Sequence, residues 1–385
     1  MSEETKTTKK RRMRFRLSYA TIFLGVWLVV GLFTILKTHR DYSKIENRQL
    51  AKLAAPTLTS LADGSFTAGV SSWFADQFPC RDTCITVNTQ TKRLLGEREV
   101  KGVYLGKEDQ LFLIPDTPDE AGMEKNLAAI DGFSKKNEKI HSYFCLVPNA
   151  ICVQGDRLPA GAPVPDQEAQ IAEVYGKLSN TGVIDVLPAL SEKKDDYIYY
   201  RSDHHWTGLG ARAAFERIAG AMGIDDPITD YEVCEVTDDF SGTLSKKAGR
   251  FDVRDRIDLY LPKTDEIYNV EYVGEEKKTG SMYDKEGLSS ADPYTVFFGG
   301  NHGRVDIRTT VQNGRKLLVF KDSYFNTLAQ FMWPYFEKVV IVDPRYYYAY
   351  AGSIVRQEGI TDILYIYNAD TFGTDHNLYA VLEEQ

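Results

Sequence analysis

The chain has no surplus of positive charge: 46 Lys and Arg stand against 55 Asp and Glu, a formal net charge of −9. A surface that tracks phosphates needs a basic excess, so nucleic acid is not an expected partner. Internal repeats and low-complexity tracts are also missing. With 43% hydrophobic and 26% charged residues, the composition excludes a disordered or collagen-like chain. Cysteines are few, five in 385 residues, and none lies in a CxxC pair or at the Cys/His spacing of a zinc site. Cys80 with Cys84 and Cys145 with Cys152 are close enough in sequence to be candidate pairs. Buried small hydrophobes are the alternative, and the odd count leaves at least one thiol free. Long uncharged runs are absent save one, Leu17 to Leu36, which excludes a polytopic membrane protein.

That single run, LSYATIFLGVWLVVGLFTIL, is long enough to cross a hydrocarbon core of roughly 30 Å as a helix. Core helices seldom stay uncharged over such a length. It is longer than the apolar part of a typical signal peptide, and Lys37, Thr38, His39, Arg40 and Asp41 follow it without a small-residue cleavage pattern. Before it stand Lys6, Lys9, Lys10, Arg11, Arg12, Arg14 and Arg16 against Glu3 and Glu4, leaving 39 basic and 53 acidic residues beyond Arg16. This asymmetry predicts a single-pass signal anchor in the cell membrane, with the N-terminus cytoplasmic and the rest extracellular. The expected divisions are a basic tail at 1–16, the anchor at 17–36, a stalk and amphipathic segment at 37–95 and a catalytic domain at 96–385.

Within that domain, KGVYLGKEDQLFLI predicts two short strands joined at Lys107 to Gln110. Strands and helices then alternate: HSYFCLVPNA, DQEAQIAEVYGKLSNTG, VIDVLPAL, YIYYRSDHHW as strand or loop, and TGLGARAAFERIAGAMG. Such alternation implies a parallel sheet flanked by helices, with functional groups at the carboxyl ends of strands. A β-rich insertion at about 223–296 interrupts it, carrying RIDLYLP and IYNVEYVG over or beside the sheet. The alternation resumes in KLLVF, KDSYFNTLAQFMWPYF, KVVIVDP, GSIVRQEGI and DILYIYNAD.

Two segments hold residues fit for chemistry. In RSDHHWT, Asp203, His204 and His205 suggest a metal, but neighbours on an extended chain face opposite ways, and no supporting ligand cluster exists; no metal or other cofactor is expected. A surface loop with a packed Trp206 is the plain reading. The alternative is that Asp203 fixes the tautomer of His205 and stabilises its charged form. In LLVFKDSYFN, Ser323 sits between an apolar strand and a helix. There it is either a helix cap or a nucleophile beside backbone N–H groups able to hold an oxyanion.

Together, DHHW at 203–206 and KDSYFN at 321–326, with ENRQL at 46–50, WFADQFPCRD at 73–82 and VDPRYY at 342–347, resemble the DHHW protein family of bacteria. That family is similar to the SGNH hydrolase-like superfamily and to the periplasmic alginate O-acetylation proteins. The resemblance implies an SGNH-like α/β sheet in circularly permuted order, the Asp/His block preceding the Ser block. It implies Ser323 as nucleophile, with Lys321 where the SGNH block has Gly, His205 as general base and Asp203 as its orienting acid, His204 being the lesser candidate base. Asn368 stands where an oxyanion-hole Asn is expected, without the usual Gly-x-Asn-Asp surroundings, and is otherwise an Asn that ends a strand. Tyr324, Arg345 and Trp206 are implied pocket-wall residues, with packing as their default role. The expected activity is O-acetyl transfer to a cell-surface or exported polysaccharide, with a membrane-bound O-acyltransferase partner supplying acyl groups. A carbohydrate esterase with the same triad and a noncatalytic scaffold are the alternatives.

Overall fold

The computed structural model describes residues 3–43, 46 and 48–384, with side chains from Ser18 onward. The chain divides into two compact units, Met1–Asn88 and Thr89–Gln385. In the first, a helix runs Glu3–Leu36, and its Ser18–Leu36 part, of mean hydropathy 2.2, is long and apolar enough to cross a membrane. Apolar side chains point outward from it on all sides, Leu24 and Leu28 among them. Helix Ser65–Asp76 and helix Arg81–Leu94 flank Pro79, which cannot donate a helical hydrogen bond. Asp76 ends the former and holds Arg48 at 2.5 Å and the Ala51 N–H at 2.8 Å.

The second unit is built on eight strands. In chain order they are β1 (His141–Val147), β2 (Gly182–Val183), β3 (Tyr268–Tyr272), β4 (Lys277–Thr279), β5 (Arg304–Thr309), β6 (Lys316–Lys321), β7 (Lys338–Val342) and β8 (Asp362–Asn368). Across the sheet they lie β4-β3-β5-β7-β6-β8-β1-β2, parallel from β7 to β2 and antiparallel from β7 outward to β4. The central strands are apolar almost without interruption because both faces are covered. Alternate residues make two cores. Leu317, Val319, Leu364 and Ile366 face α2 (Gly208–Ala221) and α3 (Tyr324–Met332), whereas Leu318, Phe320, Ile363 and Tyr365 face α1 (Glu120–Lys136) and α4 (Gly352–Glu358).

The mixed α/β architecture read from the alternation is therefore present, with two corrections. VIDVLPAL does not form a full strand: only Gly182 and Val183 pair, and helix Leu187–Glu192 follows with Pro188 in its first turn. Of the two placements expected for the segment at about 223–296, over or beside the sheet, β3 and β4 take the second by extending it at one edge, while Tyr231–Phe240 and Asp255–Pro262 form a separate antiparallel ribbon. Neither candidate cysteine pairing is made. All five thiols are free, and Cys145 lies wholly buried on β1 among apolar neighbours.

Candidate active site

The carboxyl ends of β6, β8 and β1 meet at adjacent positions, Lys321 beside Ile366 and Asn368 beside Val147. From β6 the chain passes through Asp322 and Ser323 directly into α3. Ser323 occupies the cap position of this helix, yet its hydroxyl makes no capping bond. Asp322 serves the turn instead, accepting from the Tyr324 N–H at 2.9 Å and the Asn368 N–H at 2.8 Å. The Ser323 hydroxyl is thereby left for another partner.

That partner arrives on the loop before α2. Tyr199 and Trp206 form an antiparallel bridge across its base. Leu111 N–H donates to Arg201 O at 2.9 Å and Gln110 Nε2 to Tyr200 O at 2.8 Å, so the predicted hairpin, Val103–Leu105 with Leu111–Leu113, supports one side. Buried Asp255, from the separate ribbon, accepts from the Ser202 N–H at 2.7 Å and its hydroxyl at 2.5 Å. Gly210 lets α2 approach: a Cβ there would lie 2.2 Å from the Ile198 carbonyl oxygen.

Held in this way, His205 places Nε2 2.7 Å from Ser323 Oγ and Nδ1 2.6 Å from Asp203 Oδ1. Asp203 and His205 are buried, while Ser323 keeps partial exposure. The other Asp203 oxygen accepts from the Thr243 N–H at 2.8 Å and the Thr243 hydroxyl at 2.9 Å. Burial alone would raise the Asp203 carboxyl, but the two histidines and these hydrogen bonds outweigh it and hold it well below the usual carboxylate range. The Tyr294 ring stacks on His205 at 3.9 Å and 12°, and its hydroxyl donates to Ser323 O at 3.0 Å. Imidazole, carboxylate and hydroxyl are thus fixed by packing rather than by solvent.

Thr243, Gly242 and Tyr294 were not singled out from the sequence. All three come from the segment read as an insertion, 39 to 91 residues beyond Asp203 in the chain. A Cβ on Gly242 would fall 2.3 Å from Asp203 Cβ, so only glycine admits the close backbone approach that brings Thr243 to the carboxylate. The SGT run at 241–243 was the available signal.

The remaining sequence candidates separate into different roles. Trp206 and Tyr324 were expected to wall a pocket. Both are almost completely buried, and they brace the two segments against each other: Trp206 Nε1 donates to Tyr324 O at 3.0 Å, and the Tyr324 hydroxyl donates to His204 O. Asn368 takes the strand-ending role. Its amide nitrogen donates to Val147 O at 3.1 Å, and its carbonyl accepts from the Asp370 N–H at 3.1 Å, capping the following helix. Arg345 forks onto Asp343 at 2.8 and 2.7 Å. Asp343 also pairs with buried Lys321 at 3.1 Å, and Lys321 donates to Asn301 and Asn326 at 2.9 Å each. Lys321 thus anchors the strand that delivers Ser323. Asp203, His204 and His205 do offer ligand atoms within 4.8 Å of one another. A cation there would have to displace the Asp203 bonds to His205 and Thr243, so this donor set fits a proton relay better than a metal.

Comparison with known proteins bears out the resemblance. The model of the SGNH hydrolase-like domain of acetyltransferase AlgX matches residues 103–291, and that of DHHW proteins matches residues 46–121. A probable alginate O-acetylase AlgJ of Pseudomonas syringae pv. tomato is 23% identical over 222 residues, 55% of this chain and 54% of the relative. The chain thus spans about half the length of that curated relative. A DHHW family protein from Eubacterium siraeum superposes with a TM-score of 0.64 at 24% identity, covering 73% of this chain and 95% of the other. Bacillus cereus PatB1, with a sulfonyl adduct, superposes with a TM-score of 0.61 at 18% identity, covering 72% and 97%. The fold is SGNH-hydrolase-like.

Proposed function

We propose that this chain, an SGNH-like protein similar to alginate O-acetylation proteins, is a membrane-anchored O-acetyltransferase acting on a cell-surface or exported polysaccharide. The observation that carries the reading is the continuous line from Asp203 through His205 to Ser323, with contacts of 2.6 and 2.7 Å. His205 Nε2 takes the Ser323 proton as Oγ attacks the carbonyl carbon of an acyl donor. Asp203 accepts from Nδ1–H and stabilises the imidazolium that forms. The Ser323 N–H makes no hydrogen bond among the described residues and lies at the positive end of α3, so it is free to donate to the oxyanion. Collapse expels the leaving group, protonated by His205, and leaves an acyl ester on Ser323. A sugar hydroxyl then gives its proton to His205, attacks the ester and releases Ser323.

The Ser18–Leu36 helix serves as the anchor, with the N-terminal basic cluster on the cytoplasmic side and the Ser323 unit outside. Outside the cell no acyl-CoA is at hand, and one helix offers no path across the bilayer. A membrane-bound O-acyltransferase partner supplies the acyl group.

The test is Ser323→Ala at unchanged membrane abundance, with polymer acetylation and acetate release from a model ester both measured. Loss of polymer acetylation is expected. A rise in acetylation identifies an esterase, and no change in either assay leaves the scaffold reading.

A further inference from the structure

His204, the first histidine of the Asp-His-His-Trp segment, has no part in the proton relay, yet its hydrogen bonds constrain its state. Thr243 Oγ1 lies 2.9 Å from Asp203 Oδ2 and 2.9 Å from His204 Nδ1. Asp203 is ionised and can only accept, so the single Thr243 hydroxyl proton goes to it. Toward His204 the hydroxyl must accept, and Nδ1 must carry a proton. Partial burial and the neighbouring His205 push His204 down to about 4, which favours the uncharged ring at neutral pH. A neutral imidazole protonated on Nδ1 has a lone pair on Nε2.

The position of that lone pair follows from the stacking. The His204 and His205 rings lie 3.9 Å apart at 37°, and their Nδ1 atoms both face Asp203 Oδ1, at 3.5 and 2.6 Å. Their Nε2 atoms therefore lie on the edges away from Asp203. The His205 atom meets Ser323, whereas the His204 atom has no partner among the described residues, on a side chain that is 30% exposed. Tyr294 closes the other face of His205, leaving His204 as the ring on the open side of the stack.

We propose that His204 Nε2 accepts a hydrogen bond from a second hydroxyl of the acceptor, so that the site selects a sugar presenting two hydroxyls on adjacent carbons. One hydroxyl gives its proton to His205 and attacks the Ser323 ester; its neighbour donates to His204 and is not consumed. This assignment rests on the acyl-serine reading above and adds the class of acceptor. It also gives the aromatic stack a purpose: two imidazole edges a ring-stacking distance apart match two neighbouring oxygens. A site built to pair a substrate hydroxyl discriminates strongly against an analogue that lacks it.

The experiment uses the full chain in detergent with an aryl acetate as donor. Acetylation of a methyl glycoside with a vicinal diol is compared with that of its monodeoxy analogue. The ratio of their kcat/KM values is read for the unaltered chain, His204→Phe and His204→Gln. Phe keeps the stack and removes the acceptor, while Gln returns an acceptor close to Nε2. The unaltered chain is expected to favour the diol by about tenfold, the ratio to approach one in His204→Phe and to recover in His204→Gln. An unchanged ratio in His204→Phe overturns the role of His204 alone. Absence of Ser323-dependent acetyl transfer in the unaltered chain overturns the acyl-serine reading and this one with it.

Discussion

Thr243→Val removes one hydroxyl from the carboxylate that orients His205 and leaves almost everything else in place. Valine is close to threonine in shape, and the Thr243 backbone N–H, 2.8 Å from Asp203 Oδ2, is retained. What disappears is the 2.9 Å donation from Oγ1 to a buried, ionised oxygen, together with the 2.9 Å contact of Oγ1 with His204 Nδ1, which lies outside the relay. A hydrogen bond to a charged group contributes roughly 1.5–3 kcal/mol. Asp203 works hardest when His205 carries its second proton, so the loss falls mainly on the transition state. Ester turnover, as kcat/KM for an aryl acetate, should drop about 10- to 100-fold. Thr243→Ser keeps the hydroxyl and should recover most of the loss. Thermal unfolding of both variants, run in parallel, separates a lost orienting bond from a disordered loop. Turnover in Thr243→Val within threefold of the unaltered chain, at equal stability, would refute the claim that the hydroxyl supports Asp203.

Two further substitutions probe the same neighbourhood. Gly242→Ala forces a Cβ to 2.3 Å from Asp203 Cβ and 2.6 Å from Ser202 O, so the backbone must shift. We expect a stability loss of about 1–3 kcal/mol by thermal unfolding and at least a 100-fold fall in ester turnover; normal turnover would show that the loop yields without cost. Asp370 Oδ1 accepts from the Asp116 N–H at 3.0 Å, but burial and the Asp116 charge raise its carboxyl to about 6. A raised folded value means that its stabilising contribution is complete below the unfolded value of 3.8 and is lost as pH rises through about 6. Asp370→Asn should therefore stabilise the protein by roughly 2 kcal/mol at pH 8, allowing for partial exposure, and by little at pH 4. Equal shifts in melting temperature at the two pH values would contradict this.

How much of this was legible in the sequence depended on the range of the interaction concerned. KLLVF, KVVIV and ILYIYN announce themselves because a parallel strand covered on both faces must be apolar at consecutive positions, a property of the segment alone. The Asp-x-His spacing is equally local: Nδ1 of His205 meets a carboxylate two residues away. By contrast, VIDVLPAL has the composition of a strand, yet ladder pairing stops at Val183 and a helix with Pro188 in its first turn begins at Leu187. Trp206 and Tyr324 looked like pocket walls because they flank the reactive residues. Whether an aromatic ring faces a ligand or the core is decided by the opposite segment, here by the carbonyls of Tyr324 and His204 that take up their polar atoms.

The residues around Asp203 show why the site itself was only half visible. A buried carboxylate needs its second oxygen satisfied, since an unpaired charge at that depth would cost several kcal/mol. The requirement is readable from the chemistry of the relay, but no short-range pattern says which donor meets it. The chain meets it from Thr243, reached only because Gly242 carries no side chain, and covers His205 with Tyr294. Both lie in the stretch whose mixed polar composition suggested a peripheral insertion. Parts of that stretch extend the sheet as β3 and β4, so its polarity reflects an edge position rather than detachment. A segment that looked like an interruption of the fold thus supplies the groups that hold the relay in register. Removing it should therefore abolish ester turnover as completely as Ser323→Ala.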